Sequence, residues 1–122
     1  MMKQLEILVV DDDRDGADGL SEALDFYGHS VTTVYSGEEA VEAFRHSCFD
    51  VTFMDVMMLG LNGVESFLEI KKIEPDAKVY MMTGFSARDL LEEAVGHGAA
   101  GVFHKPFAIE DVLEKVIGSP VH

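Results

Sequence analysis

The sequence contains one cysteine, few prolines and few basic residues. Cys48 is the only cysteine among 122 residues, which excludes an internal disulfide and a cysteine metal cluster. We therefore expect a reducing, cytoplasmic environment, and we expect Cys48 to be a small apolar residue that is buried or half-buried. Only 3 prolines are present, and no Pro/Gly/Ser-rich tract marks a linker between domains.

The scarcity of basic residues limits the classes of partner. Lys and Arg number 9 against 23 Asp and Glu, which gives a formal net charge of -14. Nucleic acids and anionic lipid surfaces are bound through clustered Lys and Arg. The composition therefore disfavours direct binding to nucleic acid or membrane, and it favours cations or a basic partner surface.

Long hydrophobic runs are absent as well. No stretch approaches the roughly 20 apolar residues that a membrane span needs, and the N-terminal residues Met1–Glu6 do not resemble a secretory signal. The chain is nevertheless 48% hydrophobic, which suffices for a packed core at this length. We expect residues 1–122 to form a single domain.

The apolar residues occur in five short runs, each followed by a longer stretch with helical spacing. Runs rich in Val and Ile that alternate with amphipathic stretches are typical of βαβ units. The sequence thus predicts an α/β fold, a doubly wound, five-stranded parallel sheet with five helices. The expected strands are Ile7–Val10, Val31–Val34, Val51–Met54, Val79–Met82 and Gly101–Phe103.

Local signals mark several helix ends. Ser36 and Glu39 have the spacing of a capping box at the start of the second helix. The fourth helix is expected to begin at Ser86 and to stop at Gly98, and Gly118 is expected to end the fifth.

Polar side chains follow four of the predicted strands. They are Asp11, Asp12 and Asp13, then Asp55, Thr83 and Lys105. The carboxyl ends of parallel strands share one sheet edge, which is where such sheets bind ligands. Clustered carboxylates need a compensating cation, and hard oxygen ligands suit Mg2+. Carboxylates, a divalent metal, a hydroxyl and an ammonium group together indicate a phosphoryl-transfer site.

The sequence resembles the CheY-like receiver domains of two-component response regulators over essentially its whole length. Four pieces carry the resemblance in order, namely Ile7–Asp13, Phe53–Met58 with Gly63 downstream, Met81–Gly84 and His104–Phe107. It implies the flavodoxin-like (βα)5 version of the predicted fold. It also implies a phosphoacceptor signalling domain rather than an enzyme acting on free substrates.

The family's functional residues map onto this sequence one by one. Asp55 is implied to accept a phosphoryl group from the phosphohistidine of a sensor histidine kinase or a histidine phosphotransfer protein. Thr83 and Lys105 are implied to contact that group. The implied Mg2+ ligands are Asp11, Asp12, Asp55 and the backbone carbonyl of Met57. The family reports phosphorylation to an output domain or protein through helix 4, strand 5 and helix 5, in some cases by forming a homodimer.

Two of the departures from the family pattern concern the loop after Asp55 and the fifth strand. Leu59 occupies a position where proline is usual, so we expect the loop after Asp55 to be less constrained. Val102 occupies the usual position of a switch aromatic. Phe103 follows it and, by strand alternation, should point to the opposite face.

Two alternative functions remain open at the level of sequence. Asp11, Asp13, Asp15 and Glu22 match the EF-hand calcium-loop spacing, although a strand pattern rather than a helix precedes them. A small aspartyl-phosphate phosphatase of the haloacid-dehalogenase type would also use Mg2+. It usually needs a different acceptor motif and a cap domain for which this chain has no room.

Overall fold

A computed structural model describes residues 4–84 and 88–118. It contains one sheet whose five strands are all parallel and lie in the order β2-β1-β3-β4-β5. The strands are β1 Glu6–Val10, β2 Ser30–Val34, β3 Val51–Asp55, β4 Val79–Thr83 and β5 Gly101–His104. Each lies within one residue of a predicted strand at both ends.

Five helices connect or follow these strands, so the predicted doubly wound, flavodoxin-like fold is confirmed. They are α1 Arg14–Phe26, α2 Gly37–His46, α3 Gly63–Ile73, α4 Arg88–Gly96 and α5 Ile109–Val112, the last continuing as a π-helical segment Leu113–Gly118. The expected start of α4 at Ser86 lies outside the described residues. Gly98 adopts a positive φ of 98° just after α4, as a helix-ending glycine does.

The sheet separates two apolar layers. Leu8, Val10 and Met54 pack with residues of α2 and α3, whereas Ile7 and Val9 pack with residues of α1 and α5. Strands β3 and β4 are buried along their whole length. Both faces of a doubly wound sheet are covered, which explains why these strands read as continuous apolar runs.

The capping box at α2 forms only in part. The Ser36 hydroxyl accepts a hydrogen bond from the Glu39 N–H at 3.1 Å. The Glu39 carboxylate accepts from the Tyr35 N–H at 2.9 Å instead of the Ser36 N–H. A reciprocal capping box occurs at α3, between Asn62 and Glu65.

The expectation for Cys48 was wrong, because this residue is exposed. It lies in the segment that leads from α2 into β3. In the described residues, no helix has the length and apolar character needed to cross a bilayer.

Thr52 carries a buried hydroxyl that has no hydrogen-bond partner among the described residues. Replacing it with valine keeps the shape and removes the unpaired polar group. We expect Thr52→Val to raise the free energy of unfolding by about 1 kcal/mol in urea denaturation. Thr33→Val is the matched control and should lower it, because the Thr33 hydroxyl donates to Ser21 Oγ at 2.7 Å. A loss of stability in Thr52→Val would contradict this account.

Buried His29 makes stability dependent on pH. Its Nδ1 accepts from the Leu5 N–H at 3.0 Å, and burial lowers its pKa from the ordinary value of 6.5. Near and below pH 6.5, the unfolded chain therefore binds more protons at His29 than the folded chain does. The free energy of unfolding keeps the full contribution of neutral His29 above about pH 6.5 and loses it as the pH falls. Between pH 7.5 and 5.5, the free energy of unfolding should fall more steeply in the wild type than in His29→Asn. An equal fall in the free energy of unfolding in both proteins would show that His29 does not cause the pH dependence.

Candidate functional site

Four strand ends bring the predicted site residues to one edge of the sheet. Asp11 follows β1 directly, Asp55 ends β3, Thr83 ends β4, and Lys105 follows β5. These residues are withdrawn from water to different degrees: Asp11 as a whole is 1% exposed, Asp55 8% and Thr83 0%. Because β1 and β4 flank β3 in the sheet, the polar groups converge around Asp55.

The Lys105 ammonium group joins the two buried carboxylates. Its Nζ donates to Asp11 Oδ2 at 2.5 Å and to Asp55 Oδ2 at 2.7 Å. The second oxygen of each carboxylate accepts from a backbone amide two residues further on, that of Asp13 at 3.0 Å and that of Met57 at 2.8 Å. All four carboxylate oxygens thus have a donor.

Burial and charge act against each other at these groups. Burial is the main cause that raises the pKa of Asp11, and it outweighs the lowering effect of the Lys105 hydrogen bond. Burial also lowers the pKa of Lys105, but the hydrogen bonds and charges of Asp11 and Asp55 together raise it above the ordinary value. Lys105 is therefore a permanent cation near neutral pH.

The Asp12 carboxylate contacts a neighbouring loop. This exposed carboxylate turns to the β3–α3 loop, where Oδ2 accepts from the Leu59 N–H at 3.1 Å. Within residues 4–84 and 88–118, no three Asp, Glu, His or Cys side chains are grouped as a metal site. The structure thus brings Asp11, Asp55 and Lys105 together and leaves Asp12 on the loop.

The loop after Asp55 is held through its backbone. Leu59 and Leu61 donate their N–H groups to Asp12 and Glu38, the latter at 3.3 Å, and Gly60 adopts a positive φ of 76°. The loop is therefore tied at two points, one of which depends on an N–H that proline would lack. Sequence reasoning missed Glu38, because nothing local relates a residue of α2 to this loop.

Gly63 permits the close approach of α3 to Asp55. A Cβ atom on Gly63 would lie 2.2 Å from the Asp55 carbonyl oxygen and 2.8 Å from Val56 Cα. The Gly63 N–H also donates to the Val56 carbonyl at 2.9 Å. The sequence marked this glycine only as part of the family pattern, and the structure supplies the steric reason for it.

The opposite orientations expected for Val102 and Phe103 are confirmed. Val102 packs against the layer of α2 and α3. Phe103 is buried in the other layer, where its ring lies 5.6 Å from that of Tyr80 and 5.3 Å from that of Phe107. Position 102 therefore places an aliphatic side chain where the family usually has an aromatic one.

The EF-hand alternative fails on local structure. Strand β1 precedes the candidate loop, where an EF-hand requires a helix. Asp13 is the N-cap of α1, and Asp15 and Glu22 lie within that helix. These carboxylates cannot encircle a calcium ion from a helix interior.

The strand order and the carboxylate–lysine site together define a CheY-like domain of the flavodoxin-like fold. The family profile of the response regulator receiver domain matches residues 7–117. The chain therefore belongs to the receiver domain family of two-component response regulators. Neither alternative function is supported by this match.

Similar proteins agree with this assignment. The transcriptional regulatory protein ZraR of Salmonella typhimurium is 33% identical over 117 residues, which cover 93% of this chain and 26% of that protein. The response regulator MprA of Mycobacterium avium is 35% identical over 115 residues, or 92% of this chain and 49% of that protein. The chain thus spans at most about half of these relatives.

Among solved structures, a CheY-like receiver domain protein from Methanospirillum hungatei has a TM-score of 0.89 and 26% identity. The superposition covers 93% of this chain and 91% of that one. This likeness extends over nearly the whole described fold.

Gly63→Ala should disturb the site through the backbone. We expect a loss of about 2 kcal/mol or more in the free energy of unfolding, because the new methyl group must displace the Asp55 carbonyl. Gly19→Ala is the matched control: it lies in α1 with no heavy atom within 4 Å of its Cβ position. That variant should be more stable than the wild type by about 0.5 to 1 kcal/mol. Equal effects in urea denaturation would contradict the steric account.

Proposed function

We propose that Asp55 accepts a phosphoryl group from a phosphohistidine and thereby switches this receiver domain between two conformations. The observation that carries the proposal is the Asp55 carboxylate itself. It ends the central strand at the ligand-binding edge, next to a lysine cation and a second buried carboxylate. Its side chain is 12% exposed, so a docked donor can reach it.

The reaction is a displacement at phosphorus. A carboxylate oxygen of Asp55 forms the new O–P bond, the N–P bond of the phosphohistidine breaks, and the departing imidazole nitrogen keeps the electron pair and takes up a proton. Because Lys105 already contacts Asp55, its ammonium group is placed to pair with the phosphoryl oxygens. Thr83, at the end of the adjacent strand, would hydrogen-bond one of those oxygens after transfer.

The donor groups suit Mg2+. Carboxylate and carbonyl oxygens are its preferred protein ligands, and it commonly takes one or two carboxylates beside water and phosphate. Asp11, Asp55 and the backbone carbonyl of Met57 would hold it, with Asp12 turning in from the loop. When bound, the ion offsets negative charge on the phosphoryl oxygens. Two buried carboxylates carry two negative charges, and the ammonium group between them neutralises one of these charges. A second cation can therefore be bound without an excess of positive charge.

The domain would act as a signalling module and not as an enzyme with turnover. A sensor histidine kinase or histidine phosphotransfer protein supplies the phosphoryl group. The surface of α4, β5 and α5 passes the change to an output domain or protein, with homodimer formation as one route. We assign residues 1–122 to a single receiver domain that works in the cytoplasm. It has no direct contact with nucleic acid or membrane, in keeping with the net charge of -14.

Phosphorylation can be tested with acetyl phosphate as a small donor. In the presence of Mg2+, intact mass should show one adduct of about 80 Da, the mass of one phosphoryl group. The adduct should disappear with EDTA and in Asp55→Asn. Asp50→Asn is the matched control, because Asp50 precedes the same strand at the opposite sheet edge. An adduct of equal size on Asp55→Asn would refute the assignment of the acceptor.

A further inference from the structure

One oxygen of the Asp12 carboxylate accepts a hydrogen bond from a loop amide. Asp12 Oδ2 accepts from the Leu59 N–H at 3.1 Å across 47 positions of sequence. In the same arrangement, Asp12 is not grouped with Asp11 and Asp55 as a metal site. A metal ion bound at Asp12 Oδ2 would therefore draw on the same oxygen that accepts from the Leu59 N–H.

We infer that the Leu59 amide competes with Mg2+ for Asp12 and so lowers the magnesium affinity of this domain. The inference rests on the proposed function, because it takes Asp12 to be a ligand of the ion. Leu59 is here a positioning residue that acts through Asp12. The part that competes is its backbone N–H, since the side chain is 86% exposed.

The loop that contains Leu59 has a second hydrogen bond that does not involve Asp12. The neighbouring amide of Leu61 donates to Glu38, and Gly60 turns the chain between the two amides with its positive φ. The loop is thus tied separately to Asp12 and Glu38. The hydrogen bond from Leu61 to Glu38 does not involve Asp12, so it can persist when the bond from Leu59 to Asp12 is lost.

The affinity of the full 122-residue chain for Mg2+ tests the inference by calorimetric titration. Leu59→Pro removes the N–H, and it should bind Mg2+ about two- to fivefold more tightly, the factor expected for loss of one exposed hydrogen bond. Leu59→Ala keeps the N–H and should match the wild type. Glu38→Ala loosens the loop without touching Asp12 and should also match it.

Three results would overturn the inference. They are an unchanged affinity in Leu59→Pro, an equal gain in Leu59→Ala, and an equal gain in Glu38→Ala. An equal gain in Glu38→Ala would mean that a less constrained loop, and not the loss of the Leu59 N–H, raises the affinity for Mg2+.

A measurement on the wild type keeps the test independent of how well Leu59→Pro folds. In a 15N-labelled sample, the Leu59 amide resonance should move upfield during a Mg2+ titration as its hydrogen bond is lost. If the resonances of Asp11 and Asp55 shift while that of Leu59 does not, the inference fails and the metal site stands. If no resonance shifts and calorimetry records no binding, the proposed metal site itself fails.

Discussion

The contact between the Lys105 ammonium group and the carboxylates of Asp11 and Asp55 is the interaction on which the site depends. Two carboxylates that are almost withdrawn from water repel each other and are poorly solvated, so they need a cation between them. The order of the strands in the sheet places the Lys105 ammonium group between the two carboxylates. Strand β1 lies on one side of β3, while β4 and then β5 lie on the other, and the residues that follow β1 and β5 meet above the end of β3.

Around this contact, the backbone is fixed by close packing and by hydrogen bonds. The absence of a side chain at Gly63 lets α3 begin directly against the Asp55 carbonyl, and the Asn62–Glu65 capping box fixes the first turn of that helix. The amide of Met57 orients the Asp55 carboxylate. Asp55 is therefore fixed by its own strand and the following helix, whereas the exposed carboxylate of Asp12 contacts the loop through the Leu59 N–H.

Much of the fold could be predicted from sequence because its signals are local. Continuous apolar runs marked β3 and β4, since a sheet covered on both faces buries every residue of its central strands. Asp55, Asp11 and Lys105 could be placed at one edge because parallel strands end together. The orientation of Asp12 and the tie between Leu61 and Glu38 could not be predicted. Both depend on contacts between residues far apart in the chain. The exposure of Cys48 was missed because residue type alone decided that expectation. In the structure, Cys48 is exposed in the segment between α2 and β3.

The central claim is that the phosphoryl group goes to Asp55 and to no neighbouring carboxylate. An acyl phosphate can be reduced by borohydride to an alcohol, which marks the modified aspartate as homoserine. After phosphorylation, reduction and tryptic digestion, the mark should lie in the peptide 46–71, and fragmentation should place it at Asp55 rather than Asp50. A mark on Asp11, Asp12 or Asp13, in the peptide that ends at Arg14, would contradict the account.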